Sequence, residues 1–109
     1  MTSVTNDEMS MGEVLRDGER VGLRYVRRFS HPVERVWSAL TESDQLRFWM
    51  PCDIVGERRA GADIKLPFWP AHVVKYKLEE TPITGRIEVW DPPAVFQWTW
   101  GGDILRFEL

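Results

Sequence analysis

Thiol and imidazole groups, the usual nucleophiles, proton shuttles and soft metal ligands, are few: one cysteine, Cys52, and two histidines, His31 and His72, in a chain of 109 residues. These three fall at no metal-ligand spacing, so no metal site is expected. Cys52 reads as an inert thiol and His31 as a helix-start residue. The sequence offers no nucleophile–base pair and no glycine-rich phosphate loop, and no cofactor is expected. Its chemical emphasis is aromatic. IEVWDPPAVFQWTW (87–100) holds Trp90, Phe96, Trp98 and Trp100, and LPFWPAH (66–72) sets Phe68 and Trp69 between Pro67 and Pro70. Such side chains serve as core, as the wall of a ligand cavity, or as anchors for a partner.

The elements that carry them decide among these uses. Pro92-Pro93 cannot continue a ladder, so 87–100 reads as two strands joined at a turn. On the second strand Phe96, Trp98 and Trp100 share one face, opposite Val95, Gln97 and Thr99. Period-two alternation extends to 53–59 and 62–68, read as a hairpin around Ala60-Gly61, and to VVKYKLE (73–79), GRIEV (85–89) and DILRFEL (103–109). Parity makes the inward set Ile64, Leu66, Phe68, Val74, Tyr76, Leu78, Ile87, Val89, Phe96, Trp98, Trp100, Leu105 and Phe107, of which only Tyr76 ionises. Trp90 falls on the parity of Arg86 and Glu88, the solvated side, as a rim residue or a partner's anchor. The candidate ligand-binding residues are therefore Phe68, Trp69, Tyr76, Phe96, Trp98 and Trp100, in a site without catalytic residues. The Pro-bracketed Phe68-Trp69 loop is either a gate at the cavity mouth or an ordinary hairpin tip.

Before these strands, GLRYVRRF (22–29) reads as a strand and HPVERVWSALT (31–41) as a helix with Pro32 in its first turn. Val33, Val36, Trp37 and Leu40 form a single apolar stripe at i, i+3, i+4 and i+7. TESDQLRFWM (41–50) reads as a second short helix stopped by Pro51, and both Trp37 and Trp49 are expected in the core. Residues 1–21 are polar and non-periodic, and a flexible segment is expected there, followed by one domain over 22–109. The order β-α-α and then an antiparallel meander is an α+β fold. Phe96, Trp98 and Trp100 carry roughly 450–750 Å² together. That reaches or exceeds the ~300–600 Å² of the largest apolar patch on a typical monomer, so a covering layer is required, and two short helices supply only part of it.

Composition narrows the partners. Net charge is −3, with 14 basic residues dispersed among 17 acidic ones, which disfavours nucleic acid. A single cysteine makes no internal disulfide, so a cytoplasmic location is expected. No window approaches the ~18 apolar residues of a membrane span, and no membrane partner is expected.

RRFSHPVERVWSALTESDQLRFWM, followed at a distance by GRIEVWDPPAVFQWTW, resembles the START-like superfamily (SRPBCC), the helix-grip fold shared with the birch-pollen allergen. More narrowly it is similar to the bacterial proteins grouped with the activator of heat-shock-protein-90 ATPase homologues. The resemblance rests on Phe29, Pro32, Val36, Trp37, Ala39, Leu40, Thr41, Leu46 and Trp49 in the first block and Gly85, Pro92, Pro93, Phe96 and Trp100 in the second. It implies a curved antiparallel sheet completed by a further strand and gripping a long C-terminal helix, both lacking here, so a truncated chain is expected. It further implies an apolar small-molecule ligand between sheet and helix. An alternative is a co-chaperone-like protein that stimulates a heat-shock-protein-90-type ATPase; a third is a polyketide cyclase-like enzyme. With its lid absent, the aromatic face is expected to drive self-association, as is the last strand.

Overall fold

Pro32, with no side-chain cap of its own, opens the first helix, because its fixed φ of −58° leads into α1 (Val33–Thr41). In this computed structural model, residues 2–6, 13–78 and 81–109 are described. The helix ends at Glu42, whose N–H donates to Ser38, and a one-turn helix α2 (Ser43–Leu46) follows at once. The helices stand between the strand β3 (Arg20–Arg27) and the strand β4 (Asp63–Leu66).

The sheet's central run is the meander expected from parity: β5 (Ile83–Asp91), β6 (Val95–Trp100) and β7 (Asp103–Glu108), each antiparallel to the next. Asp91-Pro92-Pro93-Ala94 makes the first turn, where the Ala94 N–H donates to the Asp91 carbonyl. Gly101-Gly102 makes the second, and Gly101 takes the left-handed φ of 58° that a two-residue hairpin turn demands. The outward face of this run is tied by a polar ladder. Gln97 donates to Glu88 at 2.9 Å, while Arg106 donates to Gln97 at 2.9 Å and to Glu108 at 2.6 Å.

Two strands lie within the polar N-terminal segment: β1 (Thr2–Asn6) and β2 (Glu13–Asp17). Residues 1 and 7–12 of that segment lie outside the described residues. Alternation could not signal these strands, since their ladder bonds come from neighbours rather than from an apolar face. The order across the seven-stranded sheet is β2-β3-β1-β7-β6-β5-β4. β1 runs parallel to both β3 and β7 and joins the β2–β3 hairpin to the meander; every other pairing is antiparallel.

Three readings of the strands are corrected. The segment VVKYKLE does not form a strand: Pro70–Tyr76 is the helix α3, and Glu79 lies outside the described residues. Pro70 sits at the helix start, His72 and Val73 both donate to the Trp69 carbonyl, and Lys77 closes the helix in the left-handed region at φ 53°. These local bonds satisfy a backbone that an unpaired edge would leave open. The second correction concerns 53–59, which makes only isolated bridges, Cys52 to Phe68 and Val55 to Lys65, rather than a full hairpin strand. The third is a β-bulge in β5. Ile87 pairs with Trp98 but Val89 pairs with Gln97, so Glu88 is the extra residue and parity inverts beyond it. Trp90 thereby joins the inner face, opposite Phe96.

Core packing follows. Trp37, Leu46, Met50, Cys52, Ile54, Ile64, Leu66, Ile87, Phe96, Trp98 and Phe107 form one buried cluster. The cover expected to be lacking over Phe96 and Trp98 is provided within the chain by α1, α2 and the alternating Met50, Cys52 and Ile54. Trp37 lies 5.1 Å from Trp90 and 6.0 Å from Phe96, ring to ring. Each such pair is worth roughly 0.5–1.5 kcal/mol beyond its buried area.

Candidate functional site

Helix α1 has two apolar faces about 100° apart. Trp37 points to the aromatic core. Val36 and Ala39 turn to a groove of about 470 Å³ closed by Phe29, Trp49 and Phe107, and Leu40, which also packs against the core, adds to its wall. Phe107 connects the two, since it is buried in β7 with its ring 6.5 Å from that of Phe96 and also forms part of the groove wall. Trp49 was expected in the core but is 49% exposed. Its indole N–H donates to the Ala39 carbonyl at 2.8 Å, which fixes the ring as a wall of the groove. The physical cause is the turn after α2: Leu46 and Met50 take the buried positions, leaving Trp49 to bridge back to α1.

The polar groups that line the groove are His31, Arg35 and Gln45. Among the described residues no carboxylate lines it, and neither the His31 nor the Arg35 side chain has a hydrogen-bond or ion-pair partner. A lone imidazole with no orienting carboxylate is not the acid–base pair that proton transfer needs. The arrangement can therefore hold an apolar molecule, with polar contacts at its rim.

The residues expected to line a cavity are placed elsewhere. Phe96 and Trp98 are inside the core, and Trp100 is half-buried with its ring 6.0 Å from Trp98. The Trp98 and Trp100 indole N–H groups are buried without a hydrogen-bond partner, a cost of roughly 1–3 kcal/mol each. Phe68 bridges to Cys52, and Trp69 donates to the Met50 carbonyl at 2.7 Å; the Pro-bracketed loop is thus pinned to the chain beneath it. Tyr76 is 57% exposed on α3, near His72 and Lys75. The sequence signal overlooked was the breadth of the α1 stripe, which is wide enough for two partners, together with Phe29 just before the helix.

A second, more polar basin of about 830 Å³ lies on the opposite side of α1, lined by Trp37, Trp90, Asp44, Asp53 and Arg58 among others. Arg58 donates to the Thr41 carbonyl at 2.9 Å and to the Gly56 carbonyl at 2.9 Å. Burial lowers its pKa, partly offset by Asp53. Those donors fasten the C-terminal end of α1, a structural duty, and the basin is wide open. Burial also pushes the Cys52 thiol up to about 12, with the Asp53 charge adding to the effect, so the thiol is no nucleophile at neutral pH. Among the described residues no group of three His, Cys, Asp or Glu side chains could hold a metal ion, and no helix is long and apolar enough to cross a membrane.

A family model described as Activator of Hsp90 ATPase homolog 1-like protein matches residues 30–106. No curated protein and no solved structure matches the chain.

Proposed function

The chain belongs to the Activator of Hsp90 ATPase homolog 1-like family, and on that premise we propose that it binds an apolar small molecule, without catalysis, in the groove between α1, α2 and β7. The observation that carries the reading is the groove itself, with Phe29, Val36, Leu40, Trp49 and Phe107 converging on a volume of about 470 Å³. That size lies within the ~300–1,000 Å³ of small-molecule sites, which are mostly apolar with a few placed polar groups. The expected location, between the sheet and a gripped helix, shifts to the flank of α1, because the chain's own aromatic face is filled. Filling the groove tests the reading: Ala39→Phe should weaken binding of the neutral dye N-phenyl-1-naphthylamine at least tenfold while leaving the far-ultraviolet spectrum unchanged. Trp49→Ala, which removes a wall, should do the same. Dye affinity unchanged in both variants would overturn the reading.

The family's description favours a second reading, that the domain docks on an Hsp90-type ATPase and raises its turnover. Phe48 is 76% exposed on the turn after α2, which supports contact with a partner. ATP hydrolysis by such a chaperone, measured with and without the domain and with Phe48→Ser, distinguishes this reading. Stimulation lost on that substitution would support it, and no stimulation would set it aside.

A further inference from the structure

The groove is apolar along its length and cationic at one end, and the geometry points to a single-chain amphiphile with a carboxylate head as its occupant. This rests on the ligand-binding reading above and adds the head group to it. His31 and Arg35 flank the start of α1, while Val36, Ala39, Leu40, Trp49 and Phe107 make up the rest of the lining. Arg35 and Ala39 are four residues apart, so they stand on one face of the helix, one turn from head to body. The Arg35 guanidinium spends no donor on the protein: among the described residues neither a hydrogen bond nor an ion pair holds it, while the residue's backbone N–H donates to the Pro32 carbonyl. Its planar fork of donors matches a carboxylate in two parallel hydrogen bonds.

Two further features share that sign. Helix α1 has no side-chain cap at Pro32, and its first amides carry the partial positive charge of a helix start. The carboxylate on the same turn, Glu34, is exposed and does not line the groove; Gln45, the other polar lining group, is neutral. An anion at this end therefore meets complementary charge with no opposing carboxylate along the wall, while an ammonium head would meet Arg35. The apolar length favours one alkyl chain, since each methylene buried along it is removed from water.

Decanoate, 1-decanol and decyltrimethylammonium, titrated into the full chain at pH 8 and below micelle formation, test this. Decanoate should bind about tenfold more tightly than decanol, and the ammonium more weakly than either. Arg35→Gln should bring decanoate to the affinity of decanol and leave decanol unaltered. Equal affinity for acid and alcohol in the unaltered chain, or a preference for the acid that survives Arg35→Gln, would overturn the head-group inference while leaving the groove intact. Failure of all three to bind would overturn both the inference and the reading beneath it. No binding of decanoate in solution together with binding of the chain itself to vesicles of phosphatidylglycerol would also overturn it, in favour of a membrane surface.

Discussion

Cys52 and Gly85 show how single positions are set by what surrounds them. The Cys52 thiol, pushed up to about 12 chiefly by burial, should not react with a disulfide reagent at pH 8 until the protein is unfolded. The sign of its pH effect follows. Below the ordinary value of 9.0 the thiol is protonated in both states; above it, only the unfolded chain ionises. Its contribution is therefore fully present below pH 9 and lost as pH rises from 9.0 towards about 12, at up to about 1.4 kcal/mol per pH unit. Urea unfolding of wild type and Cys52→Ala should diverge over that window, and parallel curves would refute the buried thiol. At Gly85 a methyl group would stand 2.0 Å from the Thr99 carbonyl oxygen. Gly85→Ala should thus cost about 2–3 kcal/mol or more in the same measurement. Residue-scale legibility was uneven. The burial of Trp37 follows from its place on a helical stripe, whereas Trp49 and Trp90 defied their patterns, one through a hydrogen bond back to α1 and the other through a bulge.

The elements were legible where neighbours supply what the pattern demands. Helix α1 and strands β5 to β7 appear where periodicity puts them, within a few residues. α3 does not, because alternation of Val74, Tyr76 and Leu78 carries no information on whether a strand lies beside them, and Pro70 with local hydrogen bonds settles the backbone as helix. β1 and β2 escaped for the complementary reason, being polar strands held by ladders. The bulge at Glu88 decides the two sides of β5 and gives a paired prediction. Trp90→Ala, removing a ring packed on Trp37 and Phe96, should lower stability by about 3–5 kcal/mol. Tyr76→Ala on the exposed side of α3 should stay within about 0.5 kcal/mol. Chemical denaturation that ranks these two in the reverse order would show that parity, and not the bulge, governs the sheet.

At the scale of the molecule, β1 is the joint. Among the described residues it alone bonds the β2–β3 hairpin to the meander, so deleting residues 1–6 should strip hydrogen-exchange protection from β3 while leaving β5 and β6 as slow as before; uniform protection would contradict the topology. The family and its α+β class were readable from two sequence blocks, and residues 30–106 match the family model. The candidate site was not, because the aromatic strand that drew attention, with Phe96 and Trp98 buried by the chain itself, serves as core. That burial also removes the uncovered face at those two positions that would have driven self-association. On the proposed reading, apolar ligands enter the flank of α1 rather than the aromatic core. Methyl chemical shifts followed during a titration with 1-decanol test it most directly. Shifts are expected to concentrate at Val36, Ala39 and Leu40, with Ile64 and Leu66 unmoved; changes centred on Ile64 and Leu66, or none at the α1 methyls, would refute that entry point.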